Sequence, residues 1–269
     1  MTVRLYSHPI SPCCQKVKFL LLEKNIKFEE VFIDLGAKQN LSNTYLKINP
    51  SGTVPTLQDN KKYIFESNII CEYLEEKFPV NSLMPSELYK KSKVRADLLF
   101  INELVHKKSA AIIWPIIFRP KIIKLSKGDQ NNLINSVLDD ERRQRQKRLL
   151  SKGLKSKDSM QAILFFKQLL ETLENRLQDN PWFSGNKISL SDIGYAPYLQ
   201  MINLFGWLEI IADLPNLLRW LNRINKRSSF QQTFIHGIDL EIRNTAISQG
   251  IRNKKLVSDI VNGNRKYTF

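Results

Sequence analysis

The sequence predicts a chain of two parts, with a mixed α/β unit over residues 1–80 and an all-α unit over residues 86–230. In the first part, segments with the two-residue period of strands alternate with segments of helical period. Beyond a polar linker that contains proline, only helical periods recur. The remaining residues, 231–269, are polar and basic. We expect them to form a C-terminal tail.

The first part begins with apolar and polar residues in alternation over residues 2–6, which predicts a half-buried strand. Ser11 is a favoured helix N-cap and Pro12 suits the first helical position, so a helix is expected to start there. A short helix is expected around Tyr45, and another helix ends near Phe78. Further strands are predicted at 28–33, 56–58 and 62–65. This order joins a crossover to a hairpin, as in a thioredoxin-like domain.

The second part carries the helical signals of a bundle. Leucine and other apolar residues recur at alternating spacings of three and four, which predicts a buried helix face at Ile163, Phe166, Leu170, Leu173 and Leu177. Ser189 and Asp192 have the spacing of a capping box with Asp in place of Glu, so a helix is expected to begin there.

Charge and composition limit the partners. The chain has 269 residues and a formal net charge of +15, from 41 Lys and Arg against 26 Asp and Glu. The basic residues are mixed with acids along the chain, and the basic stretch from Arg142 to Arg148 lacks interleaved aromatic residues, so we expect no nucleic-acid partner. No apolar run approaches the roughly 20 residues that cross a bilayer, so we expect no membrane partner.

The cysteines and histidines indicate the compartment and exclude a metal site. Three cysteines, Cys13, Cys14 and Cys71, are too few and too clustered for a disulfide framework, which favours a reducing cytoplasmic location. The three histidines match no metal-ligand spacing, and the adjacent cysteines lack partners for zinc, so no metal is expected.

Four local patterns resemble those of the glutathione transferase superfamily. Ser11 to Val17 is similar to its active-site turn and first helix, and Asn49 to Pro55 to its loop with a cis-proline. Glu66 to Leu74 is similar to its acid-serine pair and third helix, and Ser189 to Asp192 to the capping motif of its helical domain. The resemblance covers residues 2–230 and is nearest to bacterial members related to the zeta and theta classes and the ether-cleaving enzymes. It implies the glutathione transferase fold.

The resemblance implies that glutathione is the co-substrate and that one residue near the start of the first helix handles its sulfur. Ser11 aligns with the catalytic serine of the zeta and theta classes, and its hydroxyl at a helix N-terminus would favour a thiolate. Cys13 aligns with the cysteine of the beta class and is the alternative, because a cysteine there has a lowered pKa and can form a mixed disulfide. We place Ser11 first and interpret Cys14 as structural.

The remaining binding residues are also carried over from the family. Val54, before a cis Pro55, would pair its backbone with the cysteinyl part of glutathione. Glu66 and Ser67 would bind the ammonium and carboxylate of the γ-glutamyl end. At the glycyl end, theta-like members carry a His and a Lys where this chain has Asn40 and Thr53. Lys38 or Gln39 would compensate for these replacements, and we assign Asn40 and Lys38 as the binding residues at this end.

The sequence thus predicts an enzyme that transfers glutathione to an electrophilic, partly apolar small molecule. Conjugation, ether cleavage, dehalogenation and isomerisation all remain open, because a fold does not define a substrate. One alternative is a thiol-disulfide transferase that uses a cysteine. Another is a binding or regulatory protein that keeps the fold without the activity, which the changed positions Asn40 and Thr53 favour. The resemblance also implies a homodimer and a role in detoxification.

Overall fold

The computed structural model describes residues 3–137, 139–211 and 213–263. Its first part contains one mixed sheet of four strands in the order β2-β1-β3-β4. β1 is parallel to β2, whereas the β1–β3 and β3–β4 pairs are antiparallel. The strands are β1 (Val3–Ser7), β2 (Phe28–Phe32), β3 (Thr56–Asp59) and β4 (Lys62–Ile64). The predicted strands are therefore confirmed, with shifts of a residue or two at their ends.

The same part contains three helices, α1 (Pro12–Glu23), α2 (Asn43–Leu46) and α3 (Ser67–Lys77), and α4 (Leu88–Phe100) follows the predicted linker. A short 3-10 helix spans Gln39–Leu41. Apolar side chains of β1, β3, α1 and α3 are fully buried and form the core beside the sheet. These are Leu5, Val17, Leu20, Leu21, Leu57, Ile70 and Leu74.

The rest of the chain is helical. The further α-helices are α5 (His106–Ile113), α6 (Arg119–Ile122), α7 (Lys127–Asn135), α8 (Asp140–Lys152), α9 (Lys157–Arg176), α10 (Leu190–Leu204), α11 (Leu208–Ile211), α12 (Pro215–Asn225), α13 (Ser228–Phe230), α14 (Leu240–Arg252) and α15 (Lys254–Val261). Wider π-helical turns occur at Ile101–Val105, Trp114–Phe118 and Gln231–Ile235, and a 3-10 turn at Gly153–Lys155. An α/β unit followed by helices confirms the predicted fold class.

Two compact units are present. The first contains the described residues of the ranges 1–102, 177–200 and 218–239, and the second those of 103–176, 201–217 and 240–269. Hence the first unit includes the sheet and also helical segments from later in the chain. The domain boundaries at residues 80, 86 and 231 remain predictions.

Within the first unit, α1 packs against helical residues near the end of the predicted bundle. The ring of Phe19, on α1, contacts the rings of Phe230 and Phe234 edge-on at centroid distances of 5.8 and 5.6 Å. The carboxylate of Glu23 accepts a 2.9 Å hydrogen bond from Nε of Arg227. These contacts join residues about two hundred positions apart in the chain.

Within the second unit, α9 packs against α5 and α15. The predicted stripe of α9 is buried at Ile163, Phe166, Leu170 and Leu173. The segment that we interpreted as a basic tail contains α14 and α15, whose apolar residues Ala246, Val257, Ile260 and Val261 are buried. None of the helices in the described ranges combines the length and the apolar character required to cross a membrane.

Candidate active site

The predicted site residues follow strand ends that meet at one end of the sheet. Ser7, the last residue of β1, lies opposite Phe32 at the end of the parallel strand β2. Tyr6 lies opposite Thr56, the first residue of the antiparallel strand β3. Leu57 of β3 pairs with Ile64 at the end of β4. Consequently the turn into α1, the segment after β2, the loop before β3 and the start of α3 all leave the sheet at this end.

Ser11 is the N-cap of α1, as the sequence predicts. Its backbone is extended, and its N–H donates to the carbonyl oxygen of His8 at 3.0 Å. The hydroxyl oxygen accepts from the N–H of Cys14 at a long 3.4 Å. Because the side chain is only partly buried, a ligand sulfur can approach both the hydroxyl and the amino end of the helix.

Cys14 is buried, as a structural residue would be. Its side chain is 1% exposed, and its Sγ accepts a hydrogen bond from the His8 N–H at 3.4 Å. Burial raises the pKa of the Cys14 thiol to about 12, although hydrogen bonds from Ser11, His8 and Ser7 act in the opposite direction. The thiol is therefore protonated at neutral pH and unsuited to nucleophilic attack.

His8 shapes the turn before Ser11. Its Nδ1 accepts from the Ile10 N–H at 3.3 Å, and its ring lies over Phe32 with centroids 5.4 Å apart. Burial lowers the pKa of His8, with the carboxylate of Asp34 acting weakly the other way. A neutral imidazole with Nδ1 as the acceptor fits this hydrogen bond.

Cys13 differs from its neighbour because it is only partly buried. It lies near Tyr198 of α10. Burial raises the pKa of the Tyr198 hydroxyl, and the charge of Cys13 and a hydrogen bond to it raise that pKa further. Tyr198 can therefore donate a hydrogen bond to the Cys13 sulfur.

The Val54–Pro55 peptide bond is cis, as the resemblance implied. The preceding residues are fixed by hydrogen bonds to backbone carbonyls. The Thr53 carbonyl accepts from the Tyr45 hydroxyl at 2.7 Å and from Nδ2 of Asn49 at 2.9 Å. In the described part of the chain, no hydrogen bond occupies the backbone N–H or carbonyl of Val54. This leaves a short backbone edge to which an extended peptide can pair.

Gly52 begins this loop with a φ of +61°, which other residues rarely adopt. A Cβ at this position would lie 2.9 Å from Cδ2 of Leu41 and 3.2 Å from the carbonyl oxygen of Asn40. The Asn40 side chain donates to the Gly52 carbonyl at 2.7 Å. Asn40 thus stabilises the cis-proline loop through this hydrogen bond. Its binding to the glycyl carboxylate of glutathione remains a prediction.

Lys38 lies in the segment after β2, with a left-handed φ of +57° before the 3-10 helix. It is partly buried, and its ammonium makes no ion pair among the described residues. A cation in this position is suited to an anionic ligand group, but the assignment to the glycyl end remains a prediction.

The start of α3 combines strain and hydrogen-bonding capacity. Glu66 precedes the helix with φ of +62° and ψ of +113°, a costly conformation for a residue with a side chain. It is exposed, whereas Ser67 is 3% exposed. The Ser67 hydroxyl oxygen accepts a hydrogen bond from Nζ of Lys16 at 3.0 Å. Strained backbone of this kind is characteristic of functional sites.

Sequence analysis missed the supporting residues Lys16, Asn68, Tyr45 and Asn49. A signal for Lys16 was present, because it lies three residues after Cys13 and four before Leu20 and therefore on the same helix face. A lysine on an otherwise apolar helix face has one of two explanations. Either its aliphatic chain lies along the protein surface and its ammonium reaches solvent, or its ammonium is buried against a partner. The partner lies 51 positions away, so periodicity alone did not identify it.

Models of protein families match both parts of the chain. The glutathione S-transferase N-terminal domain matches residues 1–76, and the glutathione S-transferase C-terminal domain matches residues 165–223. The chain therefore belongs to the glutathione S-transferase family, as the sequence motifs indicated.

Individual relatives extend over nearly all of the chain. Protein LigF of Sphingobium sp. is 30% identical over 240 residues, which cover 87% of this chain and 93% of that protein. The crystal structure of beta-etherase LigF from Sphingobium sp. strain SYK-6 matches with a TM-score of 0.78 and 29% identity, over 87% of this chain and 99% of that one. The stringent starvation protein A homolog of Haemophilus influenzae is 39% identical over 229 residues, which cover 85% of this chain and 88% of that protein. The latter name does not describe an enzyme.

Proposed function

We propose that this protein is a glutathione transferase in which the Ser11 hydroxyl stabilises the thiolate of bound glutathione. The thiolate then attacks an electrophilic, partly apolar small molecule. The observation that carries the proposal is the partly exposed position of Ser11 at the amino end of the 12-residue helix α1, at the end of the sheet where the predicted binding segments meet. Membership of the glutathione S-transferase family supports the choice of glutathione.

The energy available at this position suits the task. A free thiol has a pKa of about 8.5, and a shift of one pKa unit corresponds to about 1.4 kcal/mol. The helix N-terminus contributes roughly 0.3–1 kcal/mol for an anion, and a charge-assisted hydrogen bond contributes roughly 1.5–3 kcal/mol. Together, at roughly 1.8–4 kcal/mol, they can lower the pKa of the glutathione thiol by about one to three units, and a shift of about two units ionises most of the bound thiol at neutral pH.

The Ser11 hydroxyl can donate its hydrogen to either of two sulfur atoms, that of Cys14 or that of bound glutathione. In the protein by itself the nearby sulfur is that of Cys14, which is a protonated thiol with a pKa of about 12. A neutral thiol is a weak acceptor, whereas a thiolate is a charged one. When glutathione binds, rotation about a single bond turns the Ser11 hydroxyl toward the thiolate without movement of the backbone.

The other predicted residues would hold the tripeptide. The Val54 backbone would pair with the cysteinyl residue, and Glu66 and Ser67 would receive the ammonium and carboxylate of the γ-glutamyl group. Lys38 would attract the glycyl carboxylate, and Asn40 would support the loop through Gly52. The geometry in favour is the free backbone edge at Val54 and the strained turn at Glu66.

We favour ether cleavage among the possible reactions, because one relative with 30% identity is a beta-etherase. In this reaction the thiolate attacks the carbon of an alkyl aryl ether. A carbon–sulfur bond forms as the carbon–oxygen bond breaks, and the aryl oxygen leaves with the electron pair as a phenolate. Glutathione is consumed, and no oxidant or reductant is needed.

Glutathione titration of the purified protein near neutral pH, followed by ultraviolet absorbance of the thiolate, tests the mechanism. We expect saturable thiolate formation in the wild type and its loss in Ser11→Ala. Ser126→Ala is the matched control, because Ser126 also caps a helix, accepts a hydrogen bond from the Asp129 N–H at 3.1 Å and belongs to the second compact unit. An alkyl aryl ether with a chromogenic phenol leaving group then measures turnover.

Binding of glutathione without thiolate formation would reject Ser11 as the stabilising group. It would favour instead a binding or regulatory protein of the same fold. Thiolate formation together with transfer to an aryl halide, but no release of phenol from the ether, would keep the transferase proposal and reject ether cleavage.

A second candidate function is thiol-disulfide exchange at Cys13, which is favoured by its partial exposure and by its hydrogen bond with Tyr198. The Cys13 thiolate would attack oxidised glutathione, form a mixed disulfide and release one glutathione thiolate. We expect iodoacetamide to modify Cys13 alone in the folded protein, because burial raises the pKa of both Cys14 and Cys71 to about 12. Mass spectrometry locates the label. If the thiolate signal in the glutathione titration is lost in Cys13→Ser but retained in Ser11→Ala, thiol-disulfide exchange at Cys13 becomes the primary function.

A cytoplasmic homodimer with a role in detoxification completes the proposal. Several large apolar side chains on α3 and α4 are exposed, which supports association with a second copy. They are Ile69, Leu88, Tyr89 and Leu99. None of the three cysteines forms a disulfide, which suits a reducing compartment. Light scattering coupled to gel filtration would measure the mass in solution, and a monomeric mass would reject the dimer.

A further inference from the structure

Lys16 is a buried cation whose hydrogen-bond partners are neutral. The residue lies in the middle of α1 and is 1% exposed. Its Nζ donates to Oγ of Ser67 at 3.0 Å and to Oδ1 of Asn68 at 2.5 Å. Within the described ranges, no carboxylate forms an ion pair with this ammonium. Two of its three N–H donors are thus used, and no described carboxylate pairs with its charge.

Another buried lysine on the same segment shows the usual arrangement. Lys24, which follows the end of α1, has a side chain with 1% exposure, and its Nζ forms an ion pair with Glu75 at 2.7 Å. A buried charge without a partner is costly, because desolvation outweighs the gain from a few neutral hydrogen bonds. Because burial of the Lys16 charge destabilises the domain, its presence indicates a role in function.

The hydrogen bonds around Lys16 make Ser67 a donor. Since the Ser67 oxygen accepts from Lys16, its hydroxyl hydrogen remains available, and the hydroxyl donates no hydrogen bond to another described residue. Asn68 is held in place, because its Oδ1 accepts from Lys16 while its Nδ2 donates to the carbonyl of Leu98. Ser67 is also the first residue of the 11-residue helix α3, whose amino end carries a partial positive charge.

We propose that Lys16 is a positioning residue that supplies, through Ser67, the counter-charge for the α-carboxylate of the γ-glutamyl group. The inference rests on the proposed function, since it assumes that glutathione binds at the start of α3. Lys16 fixes the direction of the Ser67 hydroxyl and strengthens it as a donor. The bound carboxylate in turn balances the charge that the folded protein buries, which makes affinity depend on that one ligand group.

A comparison of two ligands in matched variants tests the proposal by isothermal titration calorimetry. The ligands are glutathione and γ-aminobutyryl-cysteinyl-glycine, which lacks the α-carboxylate but keeps the amine. We expect the wild type to bind glutathione at least about tenfold more tightly than the analogue. In Lys16→Met, glutathione affinity should fall about tenfold while affinity for the analogue changes by less than about twofold. Lys16→Arg, which keeps the charge and the donors, should restore part of the preference.

Lys18→Met is the matched control. It removes the same charge from the same helix, but Lys18 pairs with Glu30 on the outer side at 2.7 Å. The ligand preference should survive in this variant. If Lys16→Met fails to fold, Lys16→Gln replaces it, because glutamine also lacks the charge and retains a polar end.

Retention of the full preference for glutathione in the folded Lys16→Met variant would overturn the inference. An equal loss of affinity for both ligands would do the same, because it would indicate a general structural effect. Failure of the wild type to bind glutathione at all is a different result, since it rejects the proposed function itself.

Discussion

Ser11 and Ser189 both precede a helix, and both carry a hydroxyl at the N-cap position, but their surroundings differ. The Ser189 side chain is 2% exposed and bonds to Oγ of Ser184 at 2.9 Å and to Oδ2 of Asp192 at 2.8 Å. Ser11 is partly exposed, and its oxygen accepts from the Cys14 N–H at 3.4 Å. One serine completes a closed hydrogen-bond network, and the other keeps capacity for a ligand. The same local signal therefore serves structure at α10 and, as we propose, chemistry at α1.

The network around Ser189 should be most sensitive to a substitution of Asp192, which we expect to cause the largest loss of stability. Its side chain is fully buried and accepts from the Ser189 N–H at 2.9 Å, the Phe183 N–H at 3.1 Å and the Trp220 Nε1–H at 2.8 Å, besides the Ser189 hydroxyl. Asp192→Ala leaves these donors unsatisfied and should lower the free energy of unfolding by about 4 kcal/mol. Urea denaturation followed by circular dichroism measures it. A loss below about 1 kcal/mol would show that the network is dispensable.

Ser189→Ala should have the next largest effect. It removes one buried hydroxyl but leaves the Ser189 N–H bonded to Asp192, so we expect a loss of about 1–2 kcal/mol in the same urea experiment. Thiolate formation with glutathione should be unchanged in this variant. An impaired thiolate signal in a folded Ser189→Ala protein would contradict the separation between the two serines.

Ser11→Ala should reverse this pattern. Its contribution to capping is weak because the hydrogen bond to Cys14 is long and partly exposed, so the free energy of unfolding should fall by only about 0.5 kcal/mol. The thiolate signal should nevertheless disappear. If Ser11→Ala destabilises the protein as much as Ser189→Ala does, Ser11 is a structural cap like Ser189, and the proposed mechanism loses its basis.

The smallest expected effect extends the comparison to α9, whose preceding residue Ser156 is buried and accepts from the Ser159 N–H at 3.1 Å. In the first turn of α9, hydrogen bonds from Arg148 hold the pKa of Asp158 below its ordinary value, and burial opposes them. This stabilisation is present above the unfolded pKa and is lost as the pH falls through the folded one. Asp158→Asn should cost about 0.5 kcal/mol at neutral pH, since Arg148 is half exposed.

Urea denaturation of the wild type and Asp158→Asn across a pH series measures this difference. The gap between the two proteins should narrow below about pH 4 and close once the pH falls below the lowered folded-state pKa of Asp158, where the carboxyl is protonated in both states. A gap that persists at low pH would mean that packing or capping, rather than the charge of Asp158, stabilises this turn.

Local signals in the sequence determined the elements and the motif positions. Serine at an N-cap, proline at the first helical position and alternating strand residues act through the backbone of their own neighbours, so Ser11-Pro12 and residues 28–33 could be interpreted without knowledge of the fold. The stripe of α9 depended only on helical period. The candidate site residues were identified by resemblance, and the sheet register explains why segments so far apart in the sequence leave from the same end.

Contacts between segments that are distant in the sequence decided which polar groups meet and which residues of the C-terminal segment are buried. Only folding brings Lys16 to Ser67, 51 positions away, or Trp220 to Asp192, 28 positions away. The interpretation of residues 231–269 as a tail rested on their polarity, because their apolar residues are sparse. Phe234 and Val257 are nevertheless buried, each within its own compact unit.

The chain by itself thus determined where helices and strands begin, because those preferences are set by each residue and its near neighbours. The tertiary structure alone decided which polar groups have their hydrogen bonds satisfied within the protein and which remain available to a ligand. Burial and hydrogen-bond satisfaction depend on residues far away in the sequence, and for that reason Ser189 and Ser11 look alike as letters and differ in the folded protein.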